Sequence, residues 1–270
     1  MRQEMKRVFC SPRFWVSVFV LLMGMLSMTL PEWLSIEWAD TPEKNAVILV
    51  EGMSSLQYAV YPIYFGGFIL LFPFCACFPY AGEGVEERQT GYLWWMVQRT
   101  SLKRYVRRKI TVAAVSGACA CMLPFLLHAL LWWLLAAPSD PDHHMEQVLT
   151  FGDGCFYNEW YKAAYGLPMY MSHALGIGFT SSVWSVAALA VSIWLPDQLL
   201  TLVVPSGIFY LWLRGLPNRL TGLNLPSPVD LFNDGLTLPV MASSVTVYLC
   251  LFILAIVLYW IGLRRCTQHG

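Results

Sequence analysis

Residues 82–109 read GEGVEERQTGYLWWMVQRTSLKRYVRRK, a long, densely charged segment between two long apolar runs. Seven of the chain's seventeen Lys and Arg residues fall in it: Arg88, Arg99, Lys103, Arg104, Arg107, Arg108 and Lys109. Cationic loops stay on the cytoplasmic face when a membrane protein inserts, so this stretch is expected inside and sets the sidedness of what flanks it. Its acidic start (Glu83, Glu86, Glu87), apolar middle (Tyr92, Leu93, Trp94, Trp95, Met96, Val97) and basic end predict a short helix along the membrane surface, its charges matched to the helix dipole. Two readings fit it. One is an anchor with Trp94 and Trp95 among the headgroups; the other is a docking element for a cytoplasmic partner.

The flanking composition supports a membrane setting. Of 270 residues 57% are hydrophobic and 13% charged, with a mean hydropathy of +0.53, which is too apolar for a soluble domain of this length. Basic and acidic side chains balance at 17 each, so no overall field draws the chain to nucleic acid, and no such partner is expected.

Outward from the central stretch, apolar runs predict spans at about 14–30, 56–80, 110–137, 167–195, 199–213 and 240–263. The first follows the basic MRQEMKRVFCSPR and looks like a signal peptide, but no A-x-A-like site precedes Pro31, so an uncleaved span with the N-terminus inside is expected. In the second, Gly66 and Gly67 allow close helix approach, and Pro62, Pro73 and Pro79 predict kinks. In the third, His128 stands a few residues before Trp132 and Trp133 and reads as a satisfied interfacial histidine with no assigned role. The fifth covers roughly 22 Å against a hydrocarbon core of roughly 30 Å, so Arg214 must snorkel, the bilayer must thin, or the segment re-enters.

Between the spans, residues 31–55 and 138–166 are acidic, aromatic loops expected outside, and Pro196, Asp197 and Gln198 form a very short inside turn. Asp140, Asp142, His143, His144 and Glu146 make a poor cation site, because adjacent histidines cannot both face one ion on a helix. Residues 214–239, dense in Pro and Gly, carry apolar patches able to dip back into the outer leaflet, where irregular backbone needs cover from protein or water. Six crossings with both termini inside put thirteen of the seventeen cations inside and twelve of the seventeen carboxylates outside. On this layout only Cys155 lies outside, so no extracytoplasmic disulfide is expected; Cys75/Cys77 and Cys119/Cys121 read as packing or lipid-facing residues.

The sequence lacks a G-x-x-x-x-G-K-[ST] loop, a dinucleotide fingerprint and an H-E-x-x-H pair. Gly176 and Gly178 lie inside the fourth span, where Gly178 and Ser182 form a small-xxx-small packing pair. No span carries a charge at mid-depth, which leaves no proton relay. The chain is therefore expected to be no enzyme, to hold no cofactor or metal, and to draw any energy for transport from elsewhere.

Six spans, a basic N-terminal segment ending in SPRFW, a charged loop after the second span and a minimal turn after the fourth together resemble the permease subunits of type 2 ATP-binding-cassette exporters. The local match is a carboxylate after the second span, then Gly, then a basic and aromatic stretch ending in Lys: Glu86, Glu87, Gly91, Arg99, Arg104, Tyr105 and Lys109. Where that family commonly has Thr after the Gly, this chain has Tyr92. The resemblance implies an all-α integral membrane protein, one permease domain over 1–270, with six transmembrane helices, cytoplasmic termini and an amphipathic N-terminal helix, multi-pass in a prokaryotic cell membrane. It implies that Gly82 to about Gln98 is a coupling helix seated in a groove of a separate ATPase subunit. The contacts would come from Glu83, Glu86, Glu87, Arg88, Gly91, Tyr92, Trp94, Trp95 and Arg99, with Asp197 a smaller second contact. Two ATPase chains holding ATP and Mg, a second permease chain in a homo- or heterodimer, and membrane lipid are the implied partners. The alternative is a non-transport anchor, sensor or immunity protein that binds a partner through its acidic aromatic outside loops.

Overall fold

The computed structural model describes residues 2–34, 55–64, 67–136, 167–195, 197–222, 225–232 and 238–269, and among them the regular structure is helical with no strand. The helices are α1 (Arg2–Phe9), α2 (Pro12–Leu34), α3 (Ser55–Tyr64), α4 (Gly67–Cys77), α5 (Ala81–Gln89), α6 (Tyr92–Arg99), α7 (Leu102–Leu135), α8 (Leu167–Trp194), α9 (Gln198–Leu213), α10 (Leu216–Thr221) and α11 (Leu238–His269). Among the described residues five helical runs are long and apolar enough to cross a membrane: Pro12–Pro31, Phe68–Gln89, Leu102–Leu135, Leu167–Trp194 and Met241–Cys266. These long apolar helices give the chain the character of a multi-pass membrane protein. The loops expected outside, residues 31–55 and 138–166, lie almost wholly outside the described residues, including Asp140, Asp142, His143, His144, Glu146 and Cys155; residues 31–34 continue α2 and Ser55 opens α3.

Three boundaries differ from the sequence expectation. The basic run Lys103–Lys109 is not loop: α7 starts at Leu102, after Ser101 in an extended conformation. Lys and Arg are good helix formers, and Tyr105, Arg108 and Lys109 share one helical face that meets internal carboxylates. In the second apolar run Pro62 and Pro73 stay inside α3 and α4, and a turn at residues 78–80 that holds Pro79 separates α4 from α5. The single surface helix expected over 82–98 is two helices, α5 and α6, hinged at Gly91 with φ +69°. A left-handed residue ends one helix and redirects the next, and only glycine takes that conformation without strain.

Helix α8 is the most enclosed of the long helices and α11 the least. α8 packs on α4, α5, α7, α9 and α11. Its seam with α7 is built of small buried residues, Gly117 facing Ser181 and Ser185, and a Cβ on Gly117 would stand 2.5 Å from that of Ser185. Such seams let helix backbones approach where lipid supplies no hydrophobic drive between helices. An aromatic cluster ties the other faces together: Trp184 meets Phe209 edge-on at 5.4 Å, Phe209 lies 5.9 Å from Phe72, and Trp212 lies 5.4 Å from Tyr248.

The 16 residues of α9 rise only about 24 Å. The chain after it folds back into the bundle. Trp212 Nε1 donates to the Pro226 carbonyl at 3.0 Å, Tyr248 Oη donates to the Pro228 carbonyl at 2.6 Å, and the Leu231 carbonyl presses on Gly176. Gly176 and Tyr248 lie about 13–15 Å along α8 and α11 from the nearer ends of those helices, so this backbone is inserted between them. Its polar groups are met by side chains, as apolar surroundings require: Asn218 bonds both the Leu225 amide and carbonyl, and Asp230 accepts from the Ser227 amide at 2.6 Å.

At the end of the bundle away from α1, His128 is buried, accepting at Nε2 from Trp132 Nε1 at 2.9 Å and lying 3.2 Å from the Thr29 hydroxyl. It is a fully buried core histidine, where its position beside the tryptophans suggested an interfacial one. Cys75, Cys77 and Cys121 are buried free thiols.

Replacing Gly117 by Val forces the α7–α8 seam apart. Overpacking of this kind costs about 1–3 kcal/mol, so a thermal-unfolding scan of the detergent-solubilised chain is expected to show a lower midpoint for Gly117→Val, and an unchanged midpoint would refute the seam.

Candidate functional site

One end of the bundle gathers α1, α5, α6, the start of α7, the end of α8, the start of α9 and the end of α11. Val8, Leu93, Tyr105, Val106, Ile193, Tyr259 and Leu263 share one buried apolar cluster there. Both terminal helices therefore meet the 81–109 segment at the same end.

Within that cluster sits a set of charges. Glu87, 6% exposed, and Lys109, 2% exposed, are paired side chain to side chain. Stripping water from two ions costs on the order of several kcal/mol each, so such a pair persists only when its remaining polar atoms are met. They are: Tyr105 Oη donates to the other Glu87 oxygen at 2.6 Å, and Lys109 Nζ lies 3.7 Å from Glu4 Oε1 and within 6 Å of the Tyr80 and Tyr105 rings. Arg108 Nε pairs with Glu4 Oε2 at 2.6 Å. Tyr105, Arg108 and Lys109 fall at i, i+3 and i+4, so a single face of α7 receives Glu87 from α5 and Glu4 from α1.

The other acids of α5 are also used internally. Glu86 Oε1 takes Arg13 Nη2 at 2.7 Å and Gln198 Nε2 at 3.3 Å, and Glu83 faces Arg7 at 3.5 Å. Arg88 Nη1 donates to the Ile193 carbonyl at 2.7 Å, placing a cation at the C-terminal end of α8, where the helix dipole favours one. Helix α5 lies tightly on α8, because a side chain at Gly84 would collide with Ser192. The acidic half of the segment is thus a buried strut rather than a surface helix.

The half beyond Gly91 differs. In α6 Leu93 is the buried anchor, 2% exposed, while Tyr92 (41%) and Trp95 (47%) stand out from the bundle. Tyr92, Trp95 and Arg99 fall at i, i+3 and i+7 on one stripe, with ring centroids 5.9 Å apart and the Arg99 guanidinium 3.8 Å over the Trp95 ring. The Trp94 side chain lies outside the described residues. An open cleft of about 440 Å³ separates this ledge from the acidic strut, lined by Arg7, Glu83, Thr90, Tyr92 and Trp95 among others.

Of the residues expected to contact a partner, the fold brings Glu83, Glu86, Glu87 and Arg88 together on α5 with their side chains turned to neighbours in the same chain. It leaves Tyr92, Trp95 and Arg99 presented outward. Asp197 is exposed, capping α9 by accepting from the Leu199 and Leu200 amides at 2.7 and 3.3 Å, and the adjacent Gln198 links this turn to Glu86. Glu4, Arg7 and Arg13 were not singled out as site residues from the sequence; the signal was the lone carboxylate Glu4 in an otherwise basic N-terminus. Among the described residues no group of three His, Cys, Asp or Glu side chains is placed to hold a metal ion. No family model, curated protein or solved structure matches the chain.

Breaking a buried pair by removing one partner costs about 3–5 kcal/mol, whereas replacing both with apolar groups of similar size is close to neutral. Glu87→Ala is accordingly expected to lower the thermal midpoint strongly, and Glu87→Leu combined with Lys109→Met to recover most of the loss. Equal midpoints for wild type and Glu87→Ala would show that the pair carries no such weight.

Proposed function

We propose that the chain is the membrane-spanning permease subunit of an ATP-driven exporter, with six spans, cytoplasmic termini and two separate ATPase subunits supplying ATP hydrolysis. A second permease chain, identical or related, completes the substrate path. The observation that carries this reading is the division of residues 81–99 into a buried acidic strut and a projecting aromatic, basic ledge, joined at Gly91.

A lipid anchor needs an amphipathic surface and nothing more. A lever needs a stiff base, and here the base is wired into α7 through Glu87, Lys109 and Tyr105, into α8 through Arg88, and into the α8–α9 turn through Glu86 and Gln198. On this reading α6 seats in a groove of the ATPase subunit through Tyr92, Trp95 and Arg99, and the Asp197 turn adds the smaller contact. Closure of the ATPase pair on ATP moves α6. The strut passes that displacement to α7 and α8, whose reorientation opens the path outward. The thirteen cations gathered on the strut side support a cytoplasmic position for it, and the short α9 with the inserted backbone after it counts as the fifth crossing.

The test is copurification with a P-loop ATPase and its turnover in vesicles. Removing an aromatic or arginine anchor from an interface centre commonly costs 2 kcal/mol or more, so Trp95→Ala and Arg99→Glu are each expected to weaken association by about tenfold or more while the thermal midpoint holds. Unchanged association and turnover, with function lost instead on deleting residues 140–160, would replace this reading with that of an anchor, sensor or immunity protein acting through its outside loops.

A further inference from the structure

An open groove of about 490 Å³ runs along the flank of the bundle between α8, α9 and α11, separate from the cleft beside the strut. Its walls are apolar, with Trp184, Ala187 and Trp194 from α8, Ile208 from α9, and Leu254 and Leu258 from α11. Trp184 and Trp194 are separated by about 15 Å of helix, half of the roughly 30 Å hydrocarbon core, so the groove is as long as one leaflet is deep.

The character changes at the end marked by Trp194. Leu251, Leu254 and Leu258 mark one face of α11, and two turns further on the same face is Arg265. Its guanidinium lies 5.4 Å from the centroid of the Trp194 ring, and Arg264 lies 5.4 Å from that of Trp260. Both arginines are exposed, and Arg265 has no carboxylate partner among the described residues. The carboxylate of Asp197, in the turn that follows α8, is engaged with the amides of Leu199 and Leu200.

We infer that this groove is a binding site for one anionic phospholipid, with an acyl chain along the walls and the phosphate held by Arg265 beside the Trp194 indole, the neighbouring Arg264 adding only its positive field. The apolar walls accept any acyl chain; the arginines add selection for a negative headgroup, the arrangement expected of basic pockets at the ends of membrane helices. A helix from another chain seated there would have to bring its own acid or strand the Arg265 guanidinium away from water. A phospholipid supplies the tail and the anion in one molecule. The inference requires only a membrane setting and stands apart from the proposed ATPase coupling.

The experiment is native mass spectrometry of the full-length chain released from vesicles of equimolar phosphatidylglycerol and phosphatidylcholine, counting lipids that stay bound. Each arginine near an anionic headgroup contributes about fivefold in binding. Wild type is expected to retain phosphatidylglycerol over phosphatidylcholine, and Arg264→Gln with Arg265→Gln to lose at least about fivefold of that preference. Arg104→Gln with Arg107→Gln, equal in charge change but on α7, is expected to keep it. Filling the groove by Ile208→Trp, or by Leu254→Trp should the first not fold, reduces retention of both lipids. Equal retention of the two lipids by wild type, loss of preference in the α7 control matching that in the groove variant, or full retention in the filled groove would each overturn the site. So would a disulfide between Ile208→Cys of one copy and Leu254→Cys of another in vesicles, which would show a second chain in the groove.

Discussion

The Glu87 carboxylate, buried and held by Lys109 and Tyr105, is the contact on which the strut end of the bundle depends. Burying an ion pair is a poor way to gain stability, because desolvation offsets most of the attraction. Its value lies in specificity: only one placement of α5 against α7 meets both oxygens of the carboxylate, and only one placement of α1 brings Glu4 to Arg108 and Lys109. Three segments far apart in sequence are fixed in one geometry by groups that cannot be left unmet.

In the proposed reading that geometry is what makes an amphipathic stretch a mechanical part, since motion of α6 on a surface helix would be lost in the headgroups. With α5 seated on α8 at Gly84 and pinned by Arg88 at the end of α8, α6 is the only half of the segment that projects, and Gly91 sets the angle at which it does so. The remaining polar side chains of the strut close on themselves, which leaves Tyr92, Trp95 and Arg99 as the surface offered outward. The same economy holds at the other irregular place, where Asn218, Trp212 and Tyr248 satisfy backbone inserted between α8 and α11.

Much of the helical plan was legible in the sequence, because uncharged runs of about 20 residues have few alternatives in a chain this apolar. The runs beginning near Phe14, Leu167 and Val240 match α2, α8 and α11 closely. What misled was charge. Lys103–Lys109 read as loop because a positive run is usually solvated, and nothing local says that Glu87 and Glu4 wait on the far side of the same helix. Likewise the intrachain contacts of Glu83, Glu86 and Glu87 were not legible, since a partner such as Arg13, over 70 residues away, leaves no periodic trace. The exposed stripe Tyr92, Trp95, Arg99 was visible as composition, but its separation from the strut rests on the positive φ of Gly91, which sequence leaves open. Residue spacing speaks for contacts within a helix and is silent on contacts between helices.

The central claim, that the projecting half of this segment lies in the cytoplasm against an ATP-hydrolysing partner, is tested most directly by placing a photoreactive amino acid at the exposed Gln98 and irradiating intact cells. The account predicts a crosslinked adduct with a P-loop ATPase, and no labelling of a cysteine at the same position by a membrane-impermeant thiol reagent added outside. Labelling from the outside with no ATPase adduct would contradict it.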